Sequence, residues 1–146
     1  MIITKSIEET HELGKKIASK LNAGDVLLLD GDMGTGKSEL ARGIAKGLGV
    51  TDIVTSPSFT ILQLYETGRL PLYHFDWYRI NSVDELYELS MEEYLGGNGV
   101  ALIEWFTRCE EVIPKRHLRI KITSLNENER SFTFFPMGGF LEGIIV

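Results

Sequence analysis

"GDMGTGKSEL", residues Gly31 to Leu40, is the stretch on which the fold turns. It fits G-x-x-x-x-G-K-[ST], in which the backbone N–H groups of a glycine-rich loop surround phosphate oxygens. The pattern needs a strand before it and a helix after it, and both are present. "VLLLDG", Val26 to Gly31, is an unbroken apolar run ending in glycine, as in a buried parallel strand. "SELARGIAKGLG" reads as an amphipathic helix closed by Gly49. Gly31, Gly34 and Gly36 let the chain turn tightly and point N–H groups inward. The helix N-terminus adds its positive dipole end. The residues expected around the phosphates are Met33, Gly34, Thr35, Gly36, Lys37, Ser38 and Glu39. Lys37 is expected on the β- and γ-phosphates, and the Ser38 hydroxyl on Mg²⁺.

A magnesium–nucleotide site also needs carboxylates, and hydrolysis needs an oriented water. Asp76 ends "LYHFD" and Glu104 ends "VALIE". Both are acids at strand ends, and strand ends in an open parallel sheet converge on the ligand crevice. Either acid is a candidate for metal support or for positioning the attacking water. "TSPSF", Thr55 to Phe59, is a loop between the phosphate-loop helix and the next strand. That is where many phosphate-loop NTPases carry a switch, so Ser56 and Ser58 are candidates to sense the γ-phosphate by hydroxyl.

Local signals arrange the remainder. Ile2 and Ile3 suit a short first strand. Ser6 and Glu9 have capping-box spacing, and Leu13, Ile17 and Leu21 follow on one helix face. Ile61 to Tyr65 and Leu70 to Asp76 read as strands, with a second capping box at Ser82 and Glu85. Leu118 to Thr123 and Ser131 to Phe135 read as a strand pair across "SLNENE". The expected architecture is α/β: a single three-layer P-loop NTPase-like domain over residues 1–146. Its central sheet is expected to be mainly parallel, with a C-terminal antiparallel strand pair.

With 146 residues, 43% hydrophobic and 25% charged, the composition is that of an ordinary globular domain. No run of eighteen apolar residues exists, so no membrane contact is expected. Cys109 is the only cysteine, which excludes an intramolecular disulfide and favours the cytoplasm. The net charge of −6 argues against direct binding of nucleic acid. The densest basic cluster, "KRHLRIK" (Lys115 to Lys121), reads as a solvated strand edge.

The motifs, in this order and spacing, resemble the TsaE (YjeE) family of small bacterial ATPases, required for threonylcarbamoyladenosine modification of tRNA. The matching stretches are "EETHELG", "GDMGTGKSELARGIAKGLG", "VTSPSFTILQLY", "LYHFDWYRI" and "LIEW", between residues 8 and 105. The resemblance implies a protein that binds ATP with Mg²⁺ and hydrolyses it slowly alone. It implies TsaB and TsaD as partners, with tRNA adenosine 37 reached only indirectly through that complex. Carried onto this chain, Ser38 and Glu104 are metal-side residues, and Lys37, Glu104 and Asp76 carry the chemistry. Thr10 lies near the adenine, and Arg130 joins the nucleotide site. This chain departs from the family pattern at Ser38 and Ser58, where threonine is usual, and after E-W, where it has "FTR" with Arg108.

Two rival classes remain. A small P-loop kinase needs an arginine-rich lid, whereas the seven arginines here are scattered. A nucleotide-dependent binding module would use ATP as a switch and leave chemistry to its partner. A guanine-reading N-K-x-D segment does not occur.

Overall fold

The strand that leads into the glycine-rich loop, β2 (Val26–Asp30), carries four buried apolar side chains and lies in the middle of the sheet. In the computed structural model, residues 1–32, 36–55, 57 and 60–140 are described. Among the described residues, seven strands form one sheet. They are β1 (Ile2–Thr4), β2, β3 (Leu62–Tyr65), β4 (Leu72–Asp76), β5 (Val100–Glu104), β6 (His117–Ser124) and β7 (Arg130–Met137). Their order across the sheet is β1-β7-β6-β2-β5-β4-β3.

The sheet is mixed, which corrects the expectation of a mainly parallel sheet, while the expected C-terminal antiparallel pair is present as β6–β7. The pairs β6–β2, β2–β5 and β5–β4 are parallel, while β1–β7, β7–β6 and β4–β3 are antiparallel. The C-terminal hairpin is continuous with the parallel strands, because Leu27 to Asp30 pair with Leu118 to Lys121. Short turns impose two of the antiparallel pairs, β3–β4 and β6–β7, whereas β1 meets β7 from far along the chain. The β6–β7 turn closes through Leu125 N–H to the Glu129 carbonyl at 2.9 Å, and such a turn brings back only an antiparallel neighbour.

Side-chain alternation divides the core into two layers. Leu27, Leu29, Leu72, Val100, Leu102, Leu118 and Ile120 pack with α1 (Ile7–Ala18) and α2 (Lys37–Gly47). Val26, Leu28, Phe75, Ala101 and Ile103 pack on the other face, against α3 (Val83–Glu88) and the 3₁₀ segments Met91–Glu93 and Phe106–Val112. Each fully buried side chain of this size contributes about 1.5–3 kcal/mol, so these two layers dominate the stability.

Helix ends follow their local chemistry unevenly. Ser6 caps α1 by accepting from Glu9 N–H at 3.1 Å, and Glu9 Oε1 accepts from Lys5 N–H at 2.9 Å. Ser82 occupies the cap of α3 without a side-chain cap bond. The Ser82 carbonyl, not its hydroxyl, accepts from Glu85 N–H. α2 ends as expected at Gly49, whose φ of +86° suits glycine, with Val50 N–H bonded to the Ala45 carbonyl.

α1 crosses α2 almost backbone to backbone. A Cβ on Gly14 would sit 2.6 Å from Ile44 N, and one on Gly43 would sit 2.7 Å from the His11 carbonyl oxygen. This contact sets the first turn of α1 beside the first turn of α2. The basic cluster is not a strand edge: β6 lies between β7 and β2. Its arginines are paired with acids, Arg116 with buried Asp25 at 2.7 Å and Arg119 with Asp30 at 2.5 Å.

Candidate functional site

Strand alternation builds the site. Leu72 and Leu102 belong to the α1/α2 face, so His74, Asp76 and Glu104 fall on that face too, at the carboxyl ends of β4 and β5. Asp76 and Glu104 are direct neighbours in the parallel register. β2 ends beside them, since Leu29 pairs with Glu104, and the chain then passes through the glycine loop into α2. Residues far apart in sequence therefore meet at one end of the sheet.

Lys37, first residue of α2, is buried to 7% exposure, with Nζ 3.9 Å from Glu104 Oε1 and 4.3 Å from the centre of the Trp105 ring. Glu104 is equally enclosed, and its second oxygen, Oε2, lies 2.7 Å from His74 Nε2. An ionised carboxylate only accepts, so the ring Nε2–H donates. Glu104 is thus held on one side by a cation and on the other by an imidazole. Removing one member of so buried a pair typically costs 3–5 kcal/mol, because the remaining charge is left uncompensated. Asp76 Oδ1 accepts from Tyr78 N–H at 2.9 Å, which turns the chain directly after β4.

Ser38 lines a narrow cleft together with Arg42, Val54, Thr55 and His74. Arg42 Nε donates to the Val54 carbonyl at 3.3 Å, and Thr55 N–H donates to Tyr65 Oη at 3.1 Å. These bonds hold the start of the "TSPSF" loop between α2 and β3. Gly36 has φ of +100°, which glycine takes without strain. Arg130 lies over it, with Nε 3.5 Å from where a Cβ would stand.

The other expected residues divide. Glu39 is turned toward His11 Nε2 at 2.8 Å and toward Arg42 Nη1, so its carboxylate ties α2 to α1. Thr10 is buried, and its hydroxyl meets the Thr4 hydroxyl at 2.7 Å; Thr4 is the register partner of Arg130. Thr10, Thr4, Arg130 and Gly36 thus form a series leading to the glycine loop. Met33, Gly34 and Thr35, and the switch candidates Ser56 and Ser58, lie outside the described residues. Arg108 sits 5.4 Å from the Tyr78 ring, which meets Trp105 at a 59° tilt with ring centres 4.9 Å apart. Of the two tryptophans, Trp77 is wholly buried and Trp105 half-buried.

The motifs by themselves mark neither His74 nor Arg42. His74 stands two residues before Asp76 in "LYHFD", and period-two alternation places both on one face. Arg42 gives no such signal. Trp105, beside Glu104 in "EWF", suits an interface or the core by its sequence, and its ring instead faces Lys37.

Among the described residues no group of three or more His, Cys, Asp or Glu side chains could hold a metal. Nor is any helix among them long and apolar enough to cross a membrane.

This arrangement has close counterparts. The TsaE family model, described as threonylcarbamoyl adenosine biosynthesis protein TsaE, matches residues 4–132. The TsaE protein of Bacillus subtilis strain 168 is 45% identical over 139 residues, covering 95% of this chain and 87% of that protein. The Treponema pallidum TsaE protein is 34% identical over 131 residues, covering 90% of this chain and 96% of that one. The crystal structure of Bacillus subtilis YdiB superposes with a TM-score of 0.82 at 42% identity, over 94% of this chain and 84% of that structure. Matched over nearly its whole length, the chain belongs to the TsaE family, the proteins of tRNA threonylcarbamoyladenosine biosynthesis.

Proposed function

We propose that the chain is a Mg²⁺-dependent ATPase with a P-loop NTPase domain, acting with TsaB and TsaD in the threonylcarbamoyl modification of tRNA adenosine 37. The observation that carries the reading is the junction of Lys37 and Glu104, 3.9 Å apart and both buried, where β2 runs through the glycine loop into α2. A lone buried lysine facing an acid at a helix N-terminus suits a phosphoryl group, whose charge Lys37 would share with the helix dipole.

The available donors fit magnesium. The Ser38 hydroxyl and the Glu104 and Asp76 carboxylates are hard oxygen ligands, and magnesium is bound through one or two carboxylates plus substrate phosphates. When bound, the ion would neutralise charge on the β- and γ-phosphates. Lys37 would bind the phosphates, Glu104 or Asp76 would orient the attacking water, and Thr55 with Ser56 and Ser58 would respond to the γ-phosphate. Thr10 and Arg130 would flank the nucleotide from the Gly36 side.

Direct tRNA binding is not part of this reading. Arg116 and Arg119 are already paired with Asp25 and Asp30, and the net charge is −6. The isolated protein should therefore show no tight, salt-sensitive affinity for tRNA; a steep salt slope would overturn that point.

The decisive experiment is single-turnover cleavage of ATP with and without the TsaB–TsaD pair, joined to capture of that pair in ATP, ADP and nucleotide-free states. Cleavage that accelerates with the pair supports the ATPase. Nucleotide-dependent capture without cleavage would leave a binding module, and phosphoryl transfer to a small acceptor would indicate a kinase.

A further inference from the structure

His74 has two ring nitrogens and a use for only one of them within the described residues. Nε2 is committed to Glu104 Oε2 at 2.7 Å. Nδ1 is buried and has no hydrogen-bond partner among the described residues, although the whole residue is 1% exposed. The same ring lines the cleft shared with Ser38, Arg42, Val54 and Thr55. An orphaned buried polar atom carries a desolvation penalty, and a functional site is one place where such an atom is retained.

We propose that His74 is the positioning residue of this site: Nε2–H fixes the Glu104 carboxylate while Nδ1 offers a buried acceptor to a hydroxyl donor brought in from the residues around it. The inference rests on the ATPase reading and adds a residue to it. In the tautomer that donates from Nε2 to the carboxylate, Nδ1 keeps an acceptor lone pair. Ser38 and Thr55 line the same cleft as His74, so a hydroxyl donor between β4 and α2 would meet the ring there. Such an outer partner orients the groups that touch the substrate and is not itself in contact with the phosphates.

Two glutamine-like substitutions separate the two nitrogens. His74→Gln keeps a donor near the Nε2 position and removes the Nδ1 acceptor. His74→Asn keeps a polar atom near Nδ1 and releases Glu104. For His74→Gln the expected result is an affinity for Mg²⁺ and a non-hydrolysable ATP analogue within about threefold of wild type. Its single-turnover cleavage with TsaB–TsaD is expected to fall by about 10- to 100-fold. His74→Asn is expected to lose turnover at least as severely. Full turnover in His74→Gln would overturn the acceptor role, and full turnover in His74→Asn would overturn the hold on Glu104.

A measurement on the wild-type protein stands apart from both activity and the folding of any variant. ¹⁵N-histidine NMR of the nucleotide-free chain should show His74 protonated at Nε2 and unprotonated at Nδ1. The Nδ1 resonance should move when Mg²⁺ and the analogue are added. A ring protonated at Nδ1, or an Nδ1 signal unmoved by the bound analogue, would refute the proposal. Failure of the wild-type protein to bind the analogue at all would instead refute the ATPase reading beneath it.

Discussion

The ammonium of Lys37 lies 4.3 Å from the centre of the Trp105 ring, one residue beyond the carboxylate that it also faces. Trp105 takes a left-handed backbone, with φ of +57°, immediately after β5 ends at Glu104. That turn sets the indole beside the lysine while the acid remains in the sheet. A cation over an aromatic face gains about 0.5–2 kcal/mol, so the ring helps hold Lys37 in place.

The first prediction follows from that geometry. Lys37→Ala should abolish nucleotide binding or turnover. Glu104→Ala should keep measurable nucleotide binding and lose at least about 10²-fold in hydrolysis, the usual contribution of a positioned acid–base group. Calorimetry and single-turnover assays read the two effects separately. Normal turnover in the Glu104 variant would remove that residue from the chemistry.

Helix crossing supplies a stability prediction. A methyl group on Gly14 would stand 2.6 Å from Ile44 N, with backbone rather than a flexible side chain in its way. Gly14→Ala should cost at least about 1–3 kcal/mol, the range for overpacking a tight contact. For a domain of this size that is a fall in Tm of several degrees, on the order of 3–12 °C. Because the crossing places α1 against the first turn of α2, the same variant should also weaken nucleotide affinity. An unchanged melting curve would show that the helices separate freely.

The two serine caps should respond differently to alanine. Ser6 accepts the Glu9 N–H bond, whereas Ser82 makes no side-chain cap bond. Ser6→Ala is expected to cost about 1 kcal/mol and Ser82→Ala at most a few tenths. Denaturant titrations of both variants test the difference. Equal losses would mean that the Ser6 hydroxyl bond contributes little.

Cys109 offers a test at alkaline pH. Burial pushes its thiol above the ordinary value of 9.0, reinforced by Glu111 and Glu85. Tyr73 is raised from 10.0, first by burial and then by Glu66. In both cases the unfolded chain releases its proton at lower pH than the native one. The native state binds more protons there, so stability falls as pH rises. The contribution should be complete below about pH 9 and decline above it, and native Cys109 should resist a thiol reagent at pH 7.5. Rapid labelling without denaturant would contradict its burial.

Much of this molecule was legible locally. The apolar run Val26–Asp30, the glycines of the loop and the helix stop at Gly49 are signals within one short segment each, and each matched the structure where it is described. Strand ends at Asp76 and Glu104 were equally local. Capping chemistry was legible at Ser6 and misleading at Ser82, because the same two residue types make a box only when the side chain rotates onto the backbone.

What the sequence by itself determined is the set of elements, the phosphate-loop motif and the acids at strand ends, because propensity, turn chemistry and hydrophobic period act over a few residues. Tertiary structure alone decided that β1 pairs antiparallel with β7 and that the basic cluster lies on an inner strand of the sheet with its two arginines paired to acids. It also decided that His74, Glu104, Lys37 and Trp105 share one site. Those outcomes depend on contacts between segments distant along the chain, whose energies arise only once the sheet has closed and water has left the space between them.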